Sequence, residues 1–431
     1  FSSCSPVYGY ILATVLPLNF GVALTYMIAY VVGLSAMLLL VGFLGQKLVR
    51  KIRWAANPRG WFQRVVAILF IATGLLIVTG WNTQFQVWIS EHTPFNFDAL
   101  SSSLIVPTSN SPAKTTGGVL NVANPYNAPN FTGISTWINS KPLNISELKG
   151  KVVLIDFWTY SCINCIRTQP YLKDLYAKYH DAGLEIIGVH APEFSFEKNP
   201  DNVKKAVKDA GLNYPIAMDN DLLTWGAYGN QYWPATYLID KDGQIRRTHN
   251  GEGEYSEEEQ AVRTLLAEKG GKVPGQATTQ DASVNDQPIT PETYLGYTRA
   301  GNYIGQDSLT FGNHTYRASD LSQVNQWTLS GTWSESEEGI TAVKDSVLTY
   351  RVMAQDVYLV TGNNKDATLD VKINGKPASD SGSAGDDIKN SQLHVDMAQL
   401  YNLAHFSSYN SDATIEIHVP AGVQLNTFTF G

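Results

Sequence analysis

Residues 156–172 read "DFWTYSCINCIRTQPYL", and the two cysteines in this stretch, Cys162 and Cys165, decide how the chain is read. Just before them, "KVVLIDFW" (151–158) is an apolar run short enough for one buried strand. Cys162–Ala182 reads as the helix that follows. A cysteine pair at a strand-to-helix junction has three chemistries open to it: a metal site, a structural disulfide, or thiol–disulfide exchange. A tetrahedral zinc site wants a second ligand pair. The third cysteine, Cys4, lies in a distant apolar segment, and His180 and His190 form no paired motif, so no metal is expected. A structural disulfide across so short a ring removes little entropy from the unfolded chain. The redox reading fits the position best. At the first turn of a helix, unpaired N–H groups and the dipole favour a thiolate, the attacking species in exchange. Cys162 is then expected to be the exposed nucleophile and Cys165, one turn on and more buried, the resolving thiol.

The chain has 431 residues, a length that suits two to four domains, with 44% hydrophobic residues and a net charge of −8. The average hides an asymmetry. Residues 1–90 contain no Asp or Glu, and their basic residues (Lys47, Arg50, Lys51, Arg53, Arg59, Arg64) cluster in one stretch. The acidic remainder gives no sign of nucleic-acid binding. Val7–Gly45 is uncharged and is long enough for two membrane helices of about 20 residues each, broken at "LPLNFG" (Leu16–Gly21). A third span is expected over Trp61–Trp81, with a tryptophan at each end. The basic cluster between the second and third spans sets the orientation by the positive-inside rule. The protein is thus expected in the cell membrane as a multi-pass chain, with residues from about 90 onward extracytoplasmic. The first residue is Phe and no leader with a cleavage site is legible, so the sequence reads as a fragment that lacks its upstream part.

Residues 91–127, rich in Ser, Thr, Asn, Pro and Gly, read as a tether. Residues 128–270 alternate strands and helices: "LEIIGVHA" (184–191) a strand, 197–211 a helix, "YPIAMDN" a short strand, then a hairpin turning at Asp242-Gly243. A last helix over 256–270 opens with Ser256 and Glu259 at capping-box spacing. This order predicts an α/β sandwich around a mixed sheet. A second spacer covers 271–288, and 289–431 shows short strand-like runs, "SVLTYRVMA" and "VYLVTG" among them, divided by turn signals such as Asn374-Gly375, which predicts an all-β jelly-roll sandwich.

"VLIDFWTYSCINC" resembles the active-site strand and helix start of the thioredoxin superfamily, and "WPATYLID" from Trp233 resembles its cis-proline signature. "APNF" through "LNISELKGKVVLIDFW" is similar to the membrane-anchored, TlpA-like branch. The resemblance implies that Asp156, six residues before Cys162, is a buried acid that deprotonates the resolving thiol, and that Pro234 is a cis-proline guiding client docking. Glu193, in "GVHAPEF", and the flanking tryptophans Trp158 and Trp233 are further candidates. Ile-Asn stands inside the pair where thioredoxin has Gly-Pro, so the redox poise is not carried over.

Cys4-Ser-Pro and the spans after it resemble the second half of the CcdA/DsbD-type electron conduit, which implies a membrane redox role for Cys4 with a partner cysteine upstream. Membrane segment, thioredoxin-like domain and β-sandwich together resemble the DipZ type of cytochrome c biogenesis proteins. That likeness implies electrons passing from cytoplasmic thioredoxin through the membrane to Cys162/Cys165 and on to extracytoplasmic disulfide-containing clients. No bound cofactor is expected beside the redox-active Cys162–Cys165 disulfide. The C-terminal part is similar to carbohydrate-binding modules, so a glycan is a candidate partner, with Trp327, Trp333 and Tyr350 either stacking on sugar or filling the core. Two competing functions follow from the same residues. A peroxiredoxin-like peroxidase would use Thr159 and Cys162 at T-x-x-C spacing, although Ile155 replaces the expected proline. A non-enzymatic cell-surface glycan-binding protein would use the thioredoxin-like domain only as a scaffold.

Overall fold

A computed structural model describes residues 119–431, apart from 278, 280, 282–286 and 363–365. The expectations for residues 1–90 (three spans, the basic cluster and Cys4) lie outside the described residues. Among the described residues no helix is long and apolar enough to cross a membrane.

The α/β part runs β1 (Tyr126–Asn127), β2 (Thr136–Ile138), β3 (Val152–Trp158), α1 (Ile163–Tyr179), β4 (Leu184–His190) and α2 (Pro200–Asp209). It continues with β5 (Ile216–Met218), α3 (Leu223–Ala227), β6 (Ala235–Ile239), β7 (Gln244–Asn250) and α4 (Tyr255–Ala267). The strands form one mixed sheet in the order β1-β7-β6-β3-β4-β5-β2. Every residue of β3 is buried, as a strand covered on both faces requires. Its side chains alternate between two cores. Leu154 and Trp158 join Leu172 and Leu175 of α1 and Val262 and Leu265 of α4. Ile155 and Phe157 join Ile187, Tyr228 and Tyr237 on the opposite face. Asp156 therefore points to the face that carries α1 and α4, the face of Cys165. The β6–β7 hairpin turns at Asp242-Gly243 as the sequence predicts, with Gly243 at φ 86° and the Asp240 carboxylate accepting the N–H groups of Asp242 and Gln244 at 3.0 Å.

Two helix starts differ from expectation. The predicted 197–211 helix begins only at Pro200, whose missing N–H suits the first helical position, and the Asn199 side chain caps it by accepting Asp201 N–H at 3.0 Å. Residues Ser195–Lys198 form a separate 3-10 turn. The final helix begins at Tyr255 after Glu254 in the left-handed region (φ 51°), and the Ser256/Glu259 capping box does not form. Glu259 is fully buried and accepts the Tyr179 hydroxyl at 2.6 Å, while the Ser256 hydroxyl turns to Asp281. Burial of Glu259 against α1 overrides the local capping pattern.

The C-terminal part consists of β8 (Thr293–Tyr294), β9 (Gly312–Tyr316), β10 (Trp327–Glu335), β11 (Ile340–Ala342), β12 (Ser346–Thr361) and β13 (Ala367–Ile373). These are followed by β14 (Lys376–Pro377), β15 (Ile388–Lys389), β16 (Gln392–Val395), β17 (Gln399–Val419) and β18 (Gln424–Phe430). All named pairings are antiparallel. "SVLTYRVMA" and "VYLVTG", which read as two strands, are one 16-residue strand, β12. It shifts register between Val352 and Tyr358, so its first half pairs with β10 and its second with β18, while β17 follows it along both halves. Asn374-Gly375 turns β13 into β14 with both residues at positive φ, 52° and 75°. Trp327, Trp333 and Tyr350 are fully buried in the single core of this part, so they form no sugar-stacking platform. The two parts lie within one compact unit, Gly117–Gly431.

Candidate active site

Cys162 is the N-cap of α1, with extended backbone (φ −83°, ψ 116°), and stands one residue ahead of the first turn. From there its Sγ accepts the backbone N–H of Cys165 at 3.2 Å. A sulfur in this position takes the place of an N-cap oxygen and lies at the positive end of the helix, where negative charge is stabilised. Both cysteines are free thiols; Cys162 is half-buried and Cys165 is 1% exposed. Burial first, then the neighbouring Cys162, pushes the Cys165 thiol well above its ordinary range. The pair is thus asymmetric: one half-buried sulfur with an amide aimed at it, one sealed in the core.

Asp156 is 2% exposed, and its Oδ1 accepts no hydrogen bond among the described residues. Burial, reinforced by the negative Glu258, pushes its carboxyl up to about 8. In register it pairs with Thr236 on β6 and with Gly188 on β4. Gly188 is required there. A Cβ would stand 2.7 Å from Ile216 Cδ1 and 2.9 Å from Trp158 Nε1, so the glycine lets the Trp158 ring lie against the sheet.

The Trp233–Pro234 peptide is cis, and buried Pro234 leads directly into β6, whose Ala235 pairs with Phe157 near the end of β3. This brings the proline loop to the end of the sheet that carries Cys162. Trp233 donates from Nε1 to the Ala191 carbonyl at 3.0 Å and packs on Trp225, with ring centroids 4.3 Å apart. Trp158 lies in the core with its ring edge-on to His190 at 5.2 Å. His190 is fully buried, and that burial lowers it to about 3, so it is neutral at physiological pH.

The site also depends on a residue that the sequence pattern did not single out. Glu197, 0% exposed, accepts hydrogen bonds from Thr159 Oγ1 (2.5 Å) and Ser161 Oγ (2.6 Å), and from the N–H groups of Glu193 (2.6 Å) and Phe194 (3.0 Å). It ties the turn that presents Cys162 to the segment after β4. Burial pushes its carboxyl up while these four bonds act in the opposite direction. Its only sequence cue was a glutamate just ahead of the Asn199-Pro200 helix start.

Glu193 is not a solvated loop acid. Its carboxylate, 10% exposed, accepts the Tyr294 hydroxyl at 2.8 Å and Arg299 Nη2 at 2.7 Å, both from the C-terminal part. Ser195, two residues on, donates its N–H and hydroxyl to Glu338. The segment after β4 therefore joins the active-site turn on one side and the β-rich part on the other. Among the described residues no group of three or more His, Cys, Asp or Glu side chains is placed to hold a metal ion.

Residues 123–266 match the family described as Redoxin, and residues 290–431 match the one described as Thioredoxin like C-terminal domain. Fold, cysteine pair and match together define a thioredoxin-like thiol–disulfide oxidoreductase domain. The thiol-disulfide oxidoreductase ResA of Bacillus anthracis is 38% identical over 118 residues, covering 27% of this chain and 64% of that protein. Protein DipZ of Mycobacterium bovis is 32% identical over 427 residues, covering 93% of this chain and 58% of that protein, and its Mycobacterium tuberculosis counterpart gives the same figures. The chain thus spans 58% of the length of these DipZ relatives.

Proposed function

We propose that the chain is part of a membrane-anchored, extracytoplasmic thiol–disulfide reductase that passes reducing equivalents through Cys162 and Cys165 to protein disulfides, in cytochrome c biogenesis or related thiol maintenance. On this reading it is multidomain, with transmembrane helices over 1–90, a tether over 91–127, a thioredoxin-like domain over 128–270, a spacer, and a jelly-roll sandwich over 289–431. The observation that carries the chemistry is the Cys165 N–H aimed at Cys162 Sγ at 3.2 Å, with Asp156 buried behind the pair.

The Cys162 thiolate attacks one sulfur of a client disulfide, forming a mixed disulfide and releasing the other client sulfur as a thiolate. Asp156, as the carboxylate, takes the proton of Cys165. The Cys165 thiolate attacks Cys162 Sγ, closes the Cys162–Cys165 disulfide and expels the second client thiolate, which solvent protonates. Two electrons have then moved to the client. Pro234 borders the docking site and Trp233 walls it, while Trp158 packs in the core beneath. The reverse sequence recharges the pair from a membrane dithiol made of Cys4 and an upstream partner, itself reduced by cytoplasmic thioredoxin. This direction rests on the resemblance of the membrane segment to an electron conduit.

The peroxidase alternative loses its key contact, because the Thr159 hydroxyl is bonded to Glu197. A glycan partner, if taken at the C-terminal part, would use the open cleft of about 650 Å³ lined by Asp320, Arg351 and Asp412, since the tryptophans are core. The test is turnover of a small protein disulfide under a chemical reductant. Cys162→Ser loses all turnover, and Cys165→Ser stalls as a mixed disulfide on Cys162. Turnover surviving in Cys162→Ser rules the mechanism out.

A further inference from the structure

Each cycle of the dithiol reaction leaves a proton on Asp156, a carboxyl sealed from solvent on the core side of β3. We propose that Glu258, acting through Asp156, sets when that carboxyl accepts the Cys165 proton, and that Thr236, Glu258, His249 and Glu254 form its exit to solvent. The inference rests on the dithiol reading above.

The sheet register builds the row. Asp156 on β3 pairs with Thr236 on β6, which pairs with His249 on β7, all three on one face. Directly opposed residues of antiparallel strands have Cβ atoms about 5 Å apart. α4 lays Glu258 over this row: it is 3% exposed and accepts the Thr236 hydroxyl at 2.5 Å. A hydroxyl both donates and accepts, so Thr236 is able to relay a proton between its neighbours. The outer end of the row is wet. His249 Nδ1 lies 3.3 Å from Glu254, whose side chain is 56% exposed, while His249 Nε2 is buried without a partner among the described residues. Arg247, 2.7 Å from the same Glu254 carboxylate, adds a fixed positive charge beside the route.

Other groups face the row. Tyr171 on α1 feels Glu258 and Arg247, and Tyr214 feels Asp156 and Cys165; both hydroxyls are buried and without a hydrogen-bond partner among the described residues. Burial also pushes Glu258 up, while Thr236, His249 and Arg247 draw it down. Two buried carboxyls that feel each other do not both ionise readily, so a proton on one promotes ionisation of the other. Glu258 touches neither sulfur. Its effect is confined to the charge state of Asp156 and to proton transfer.

The test uses Glu258→Gln in the full chain and follows two rapid-mixing steps separately against pH: attack of Cys162 on a model disulfide, and release of the mixed disulfide by Cys165. The expected result is an unchanged first step, a second step slowed about tenfold or more, and a lower pH midpoint for that second step. Glu258→Asp restores part of the rate. His249→Gln slows the second step and leaves its midpoint in place. A folded Glu258→Gln with the wild-type rate and midpoint overturns the proposal. If Glu258→Gln does not fold, Thr236→Val, which removes the hydroxyl link and keeps the carboxylate, decides: a wild-type second step overturns the proposal and a slowed one sustains it. Failure of the wild-type first step overturns the dithiol reading itself, a separate outcome.

Discussion

Replacing Asp156 by Asn separates the electrostatic account of the core from a packing account. Burial and Glu258 push the Asp156 carboxyl up to about 8, against about 3.9 for an unhindered aspartate. The folded state therefore holds a proton that the unfolded chain releases. The stabilising contribution of that protonation is full below about pH 4, falls as pH rises through the window, and is lost above about pH 8. From about pH 5 to about pH 8 the loss spans about three pH units at ~1.4 kcal/mol each, or up to about 4 kcal/mol. Against a typical domain stability of about 5–15 kcal/mol, this is large. The Asp156→Asn side chain does not titrate and carries no such proton. Urea unfolding of the reduced proteins should thus show the variant gaining on the wild type as pH rises from about 5 to about 8.5, by more than ~1 kcal/mol and by at most ~4 kcal/mol. Subtracting wild type from variant cancels the other titrating groups that respond alike. A difference that stays constant across this range would show that Asp156 holds no such proton in the fold, because steric or hydrogen-bond changes alone carry no such pH dependence.

Two further substitutions probe the frame around the cysteines. Glu197→Gln turns an amide NH2 toward donors now held by one carboxylate, two hydroxyls and two backbone N–H groups. The expected cost is about 2–4 kcal/mol in chemical denaturation, with slower attack by Cys162 because the 159–161 turn loosens. Gly188→Ala forces a methyl against Ile216 and Trp158, at 2.7 and 2.9 Å. It should cost about 1–3 kcal/mol and alter Trp158 fluorescence; a variant with wild-type stability and spectrum would show that the Trp158 contact is not tight.

What was legible in the sequence was what local pattern determines. The unbroken apolar run of β3, the Asp242-Gly243 and Asn374-Gly375 turns and the CxxC pair at a helix start are written in consecutive residues, and the structure places them accordingly. What was not legible depends on who meets whom across the fold. Glu197 looked like a helix residue, and only its contacts with Thr159 and Ser161 reveal a buried anchor. Glu259 sat at capping-box spacing, yet burial against Tyr179 decides its partner. Glu193 was read as a candidate near the cysteines, and its bonds run to Tyr294 and Arg299, about a hundred residues on. β12 read as two strands divided at Gln355-Asp356, and the register shifts there let one strand continue through.

The proposed function rests on a chemical inequality of the pair, with Cys162 attacking and Cys165 resolving. It is tested most directly by brief alkylation of the fully reduced protein near neutral pH, followed by mapping of the modified peptide. Label is expected on Cys162, with Cys165 protected until the protein is unfolded. Label appearing on Cys165 as fast as on Cys162 would contradict it.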